Sequence, residues 1–143
     1  MLSRYSSLYG SCNRSFSIIP PSVSNNSWNS VMTPAIVVDK SVLVNNLKNM
    51  QMIASLNKVN LRPHVKTHKC IEIAKLQIKH GAIGVTCSKP SEALVFIKEG
   101  IDTFIAYPIV SQINLVHLFN NISKYSKFEC FSMIIDSIYG INI

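Results

Sequence analysis

The chain has 143 residues, 48% of them hydrophobic and 15% charged, with 14 Lys+Arg against 7 Asp+Glu for a formal net charge of +7. That length allows one domain at most, and that composition excludes disorder along the whole chain. The basic residues are scattered with no long Lys/Arg block, so the charge describes a mildly basic surface compatible with small anions rather than a nucleic-acid or membrane footprint.

Residues 1–32, "MLSRYSSLYGSCNRSFSIIPPSVSNNSWNSVM", contain no acidic residue. They combine Arg4, Arg14 and many serines with hydrophobic residues between, the pattern of a mitochondrial transit peptide; "RSFS" at 14–17 resembles a matrix-peptidase cleavage sequence. The plainer alternative is a disordered tail on a cytoplasmic protein. No apolar run reaches the roughly 18 residues of a membrane span, and Pro20, Pro21 and "SVSNNSWNS" read as a linker. Cys12, Cys70, Cys87 and Cys130 form no CxxC pair, so a reducing compartment fits better than a disulfide framework. Cys87 and Cys130 lie in apolar runs and read as buried free thiols.

From Thr33 the pattern becomes regular. "TPAIVVD" (33–39) is a β-branched run that predicts a buried strand, with Asp39 ending it and starting a helix. "SVLVNNLKNMQMIASL" (41–56) carries a helical stripe at 43, 47, 50, 53 and 54. "LRPHVKT" (61–67) is strand-like. "CIEIAKLQIKHG" (70–81) is helical and ends at Gly81, a suitable residue just past a helix end. "IGVTC" (83–87) predicts a strand, and "SKPSEALVFIKEG" (88–100) a helix with Pro90 in its first turn and Gly100 after its last. "TFIAYPI" (103–109), "SQINLVHLFNNIS" (111–123) and "FECFSMIID" (128–136) continue strand, helix, strand.

The order βαβαβαβαβ implies a parallel sheet covered by helices, either an open doubly wound sheet or part of a (β/α)8 barrel. No GxGxxG or GxxxxGK[ST] follows any strand, which favours the barrel. About five strands cannot close eight, so residues 33–143 read as the N-terminal part of a larger barrel: a fragment, or a piece that another chain completes.

"RPHVKTHK" (62–69) gathers Arg62, His64, Lys66, His68 and Lys69. On a pleated strand His64, Lys66 and His68 share one face and Val65 and Thr67 the other, so the polar three would face the barrel axis near the strand's C-terminal end. Three functions compete. A metal site has its two histidines four apart but lacks the HExxH glutamate and carries a repelling lysine. A nucleic-acid patch lacks interleaved aromatics. An activated Lys66 amine, made nucleophilic by burial and cationic neighbours, would react with an aldehyde, pyridoxal phosphate foremost. The plainest reading of the octapeptide alone is that Arg62 and Lys69 are solvated strand ends and Lys66 snorkels.

The wider pattern resembles the fold-type III pyridoxal-phosphate enzymes, and within them the D-threonine aldolase and eukaryotic-type D-serine dehydratase group. The residues that carry the resemblance are Thr33-Pro34-Ala35, the octapeptide, and Ser91-Glu92-Ala93, over a stretch from about Thr33 to Asp136. It implies an alanine-racemase-like barrel, Lys66 as the Schiff-base and proton-transferring lysine, and a D-amino acid substrate undergoing dehydration or aldol cleavage. It also implies cofactor-binding positions at Lys66, His64, His68 and Tyr107. Metal is expected at none of these residues; a divalent ion such as zinc, and a homodimer, belong to a full-length form. His80 reads as a helix-end residue favourable to the dipole and His117 as a helix-surface one. The alternatives are a non-catalytic pyridoxal-phosphate-binding protein and an inactive remnant.

Overall fold

The computed structural model describes residues 33–125 and 130–142, so the expected targeting segment lies outside the described residues. The chain divides into two units between Val44 and Asn45.

In the first unit, residues 33–39 run extended but form no ladder, and Ile36, Val37 and Val38 are exposed. The predicted buried strand at 33–39 is therefore absent. A β-branched run supplies the propensity, but a strand also needs a neighbour for its N–H and C=O groups, and no described residue pairs with this one. Asp39 does start a helix: its Oδ1 accepts hydrogen bonds from Ser41 Oγ at 2.6 Å and from the Val42 amide at 3.0 Å. These bonds, the Ser41 one foremost, hold its carboxyl below the usual aspartate range. Helix α1 (Lys40–Leu56) follows.

In the second unit, α2 (Ile71–Lys79), β1 (Val85–Cys87), α3 (Pro90–Ile97), β2 (Thr103–Ile105), α4 (Gln112–Tyr125), β3 (Phe131–Met133) and a short α5 (Ile138–Ile141) alternate as expected. The strands form a parallel sheet in the order β1-β2-β3, with Val85 opposite Thr103 and Thr103 opposite Phe131. On the outer side of β1 the extended residues 61–64 add a partial fourth strand. Ile83 N donates to Leu61 O at 2.9 Å, Thr86 N to Pro63 O at 2.8 Å, and His64 bridges Thr86 in parallel.

The sheet's two faces differ. Val85, Cys87, Thr103 and Ile105 are fully buried and meet the helices. His64, Thr86, Phe104 and Ser132 lie in register across the strands on the opposite face. Helix α3 packs against β1, β2 and α4 and buries Ala93, Leu94, Phe96 and Ile97. Pro90 is in its first turn, where a missing N–H costs nothing. Around it Val65, Leu115, Leu118 and Ile122 complete the core. Phe119 and Phe131 add an edge-to-face contact with centroids 6.4 Å apart.

At the N-terminal edge of the sheet, Arg62 grips Asp102 with both guanidinium arms, Nη1 to Oδ1 at 3.0 Å and Nη2 to Oδ2 at 2.9 Å. The guanidinium reaches across β1 to do so, and it passes over Gly84, where a Cβ would collide with it and lie 2.5 Å from the Asp102 carbonyl oxygen. Arg62 is thus a structural clamp rather than a solvated strand end. Gly81, at φ +113°, ends α2 as expected.

Candidate functional site

The octapeptide does not stay a strand. After the bridge at His64 the chain turns into a single 3₁₀ turn, Val65–Thr67. The alternation of faces holds only as far as Val65, which is fully buried on the helix side. Beyond it the pleat no longer sets side-chain direction, so the expected single face of His64, Lys66 and His68 is not formed. The turn has a clear cause: His64 Nδ1 accepts the Lys66 amide hydrogen at 3.2 Å, and the amides of His68 and Lys69 both close onto Val65 O. A side-chain acceptor one or two residues upstream draws the backbone out of a ladder and into a turn. Lys69 then sits at φ +48° before α2 begins.

The turn lies at the C-terminal edge of the parallel sheet, where α/β folds place their sites. Ser88 is there too, one residue after β1, and Tyr107 two residues after β2, exposed. Ser88 Oγ is 3.1 Å from His64 Nε2, and its backbone N–H donates to Glu92 Oε2 at 2.9 Å. Glu92 is on the first turn of α3, where a carboxylate suits the helix dipole; its side chain is only 9% exposed, and Lys69 Nζ lies 3.9 Å from Oε1.

The five basic residues therefore have different fates. Arg62 is clamped to Asp102, Lys69 faces Glu92, and His64 is held at both ring nitrogens. His68 Nδ1 accepts the Cys70 amide hydrogen at 3.1 Å, while its Nε2 is buried, with the Gln77 side chain as its polar neighbour. Burial pushes the His68 pKa down. Lys66 is exposed, and its amine makes no hydrogen bond or ion pair among the described residues. The enclosing dry pocket expected around it is not built by those residues.

The thiols of the described residues take no part. Cys70, Cys87 and Cys130 are free. Cys87 is fully buried and its pKa is pushed up to about 12 by that burial, which makes it a poor nucleophile, and burial raises Cys70 in the same direction. Cys130 is only partly buried, less than its apolar run predicts. Among the described residues no group of three or more His, Cys, Asp or Glu side chains is placed to hold a metal ion. His80 caps the end of α2 and His117 stands exposed on α4. No helix of the described residues is long and apolar enough to cross a membrane.

Sequence reasoning missed Ser88 as a site residue and read Glu92 only as part of a motif. The signal was available in Pro90: it marks the first turn of α3 and so puts Ser88 at the mouth-side end of β1.

No family model matches the chain. Among curated proteins it is 35% identical over 130 residues to a D-threonine aldolase from an Arthrobacter species, covering 90% of this chain and 33% of that protein. It is 40% identical over 90 residues to a D-serine dehydratase from Dictyostelium discoideum, covering 59% of this chain and 23% of that protein. Among solved structures it matches D-threonine aldolase from Filomicrobium marinum with a TM-score of 0.70 and 34% identity, over 78% of this chain and 30% of the other. The chain thus spans a third or less of the length of these relatives. Over that span sequence and fold agree, and the chain is a homologue of the D-threonine aldolase and D-serine dehydratase group of fold-type III enzymes, matching their alanine-racemase-like barrel in part.

Proposed function

We propose that this chain supplies the lysine-bearing part of a pyridoxal-phosphate-dependent D-amino acid lyase, of the dehydratase or aldolase type, with Lys66 as the residue that binds the cofactor's aldehyde. The observation that carries the reading is the fate of the basic cluster. Its other members are paired or built into the backbone, while the Lys66 amine projects free at the C-terminal edge of a parallel sheet.

The residues fit the cofactor's chemistry. An exposed primary amine can condense with an aldehyde, and the exposed Tyr107 hydroxyl stands on the same edge as a donor for ring or phosphate oxygens, while His64, engaged at both ring nitrogens, holds the turn that carries Lys66. His68 supports the site from behind through the Cys70 backbone. When bound, pyridoxal phosphate withdraws electrons from the α-carbon of an attached amino acid. The amine of Lys66, once released, would take up the α-proton, and departure of a β-hydroxyl or cleavage of Cα–Cβ would distinguish dehydration from aldol chemistry. Further parts of the same proposal are a homodimer, a divalent ion such as zinc held by ligands outside the described residues, and delivery to mitochondria by residues 1–32.

The test is spectroscopic. Adding pyridoxal phosphate to the wild-type chain should change its visible absorption; Lys66→Ala should abolish the change, and Lys69→Ala, whose ammonium faces Glu92, should keep it. An unaltered response in Lys66→Ala sinks the assignment.

A further inference from the structure

His64, Ser88 and Glu92 form a connected set, and its chemistry is constrained by one imidazole. A neutral histidine ring has one N–H donor and one bare acceptor nitrogen. His64 Nδ1 receives the Lys66 amide hydrogen at 3.2 Å, so Nδ1 is the acceptor and the ring proton resides on Nε2. Nε2 is 3.1 Å from Ser88 Oγ, which therefore accepts. Ser88 in turn is fixed by its own amide, bonded at 2.9 Å to Glu92 Oε2 on the first turn of α3.

The geometry points to Ser88 and Glu92 as positioning residues for Lys66: Glu92 fixes the Ser88 backbone, Ser88 Oγ accepts the His64 Nε2 proton and anchors the ring, and the ring so held caps the turn carrying the amine through its bare Nδ1. The opposite tautomer would set an Nδ1–H against the Lys66 N–H, two donors face to face, and the turn would lose its cap. The inference takes the importance of Lys66 from the function proposed above, but the relay itself involves only this chain's own groups.

The test uses the 143-residue chain with ¹⁵N-labelled histidine and backbone. In the wild type, His64 should show a bare Nδ1 and a protonated Nε2. In Ser88→Ala the ring loses its anchor at Nε2, and exchange of the Lys66 amide should accelerate roughly five- to tenfold, the worth of one hydrogen bond. Amides within α4 should be unaffected, and Ser88→Thr should restore slow exchange of the Lys66 amide. A protonated Nδ1 in the wild type overturns the relay, and so does unchanged Lys66 exchange in Ser88→Ala. The wild-type spectrum can overturn the relay even if the alanine variant does not fold. Cofactor attachment at another lysine would remove the proposed function and leave the relay standing. Attachment at Lys66 with a protonated His64 Nδ1 would do the reverse.

Discussion

Phe96→Ala should lower the unfolding free energy by about 3–5 kcal/mol, the usual cost of emptying a phenylalanine site. Phe96 is 1% exposed on a helix that is itself packed between the sheet and α4. Its neighbours Ile97, Ile105, Leu118 and Ile122 are all fully buried in the same cluster, so no flexible surface chain is available to collapse into the space. Native stabilities run to about 5–15 kcal/mol, and the variant should therefore sit close to the folding threshold. Phe96→Leu, which keeps most of the volume, should cost under about 1.5 kcal/mol. Urea denaturation monitored at constant slope measures both. Equal midpoints for Phe96→Ala and wild type would contradict the packing of α3 on the sheet.

The second large effect is expected at Gly84, for a different reason. Nothing about its backbone angle requires glycine; the crossing of Arg62 does. A Cβ there would strike the guanidinium and the Asp102 carbonyl, the latter already accepting Val85 N–H at 2.8 Å. Gly84→Ala must either eject the Arg62 side chain from its bidentate pair or push β2 away from β1. Overpacking together with loss of a half-buried ion pair should cost roughly 2–4 kcal/mol. Gly100→Ala is the control. Its φ of +71° disfavours a side chain, but no atom lies within 4 Å of the new Cβ, so only about 1 kcal/mol of backbone strain is expected. Comparable midpoints for the two variants would refute the clamp.

The sequence makes legible whatever is encoded over one or two turns. Asp39 before α1, Pro90 opening α3 and Gly81 closing α2 each act on neighbours a few residues away, and all appear where their chemistry puts them. The β/α alternation is equally local, because period and length distinguish a buried strand from an amphipathic helix. What fails to show is what depends on distant partners. The 33–39 run has strand propensity without a described ladder partner. The Arg62–Asp102 pair joins residues 40 apart and the Ser88–His64 contact joins residues 24 apart; neither leaves a periodic trace. The turn at 65–67 is the instructive case. Alternating side chains argue for a strand, yet a single histidine acceptor at its start outweighs the pattern.

The fold, too, bears on function through its two edges. The Arg62–Gly84–Asp102 clamp occupies the N-terminal edge of the sheet and serves stability, while His64, Lys66, Ser88 and Tyr107 gather at the C-terminal edge. In parallel α/β folds that division separates scaffold from chemistry.

The most direct measurement is to incubate the chain with pyridoxal phosphate, trap the adduct with borohydride and map the modified lysine by mass spectrometry. The account predicts one dominant site, Lys66, with Lys69 and the other lysines unlabelled at matched cofactor and protein concentrations. Label spread over several surface lysines, or concentrated on Lys69, would show that the free amine at the sheet's C-terminal edge is not the cofactor's attachment point.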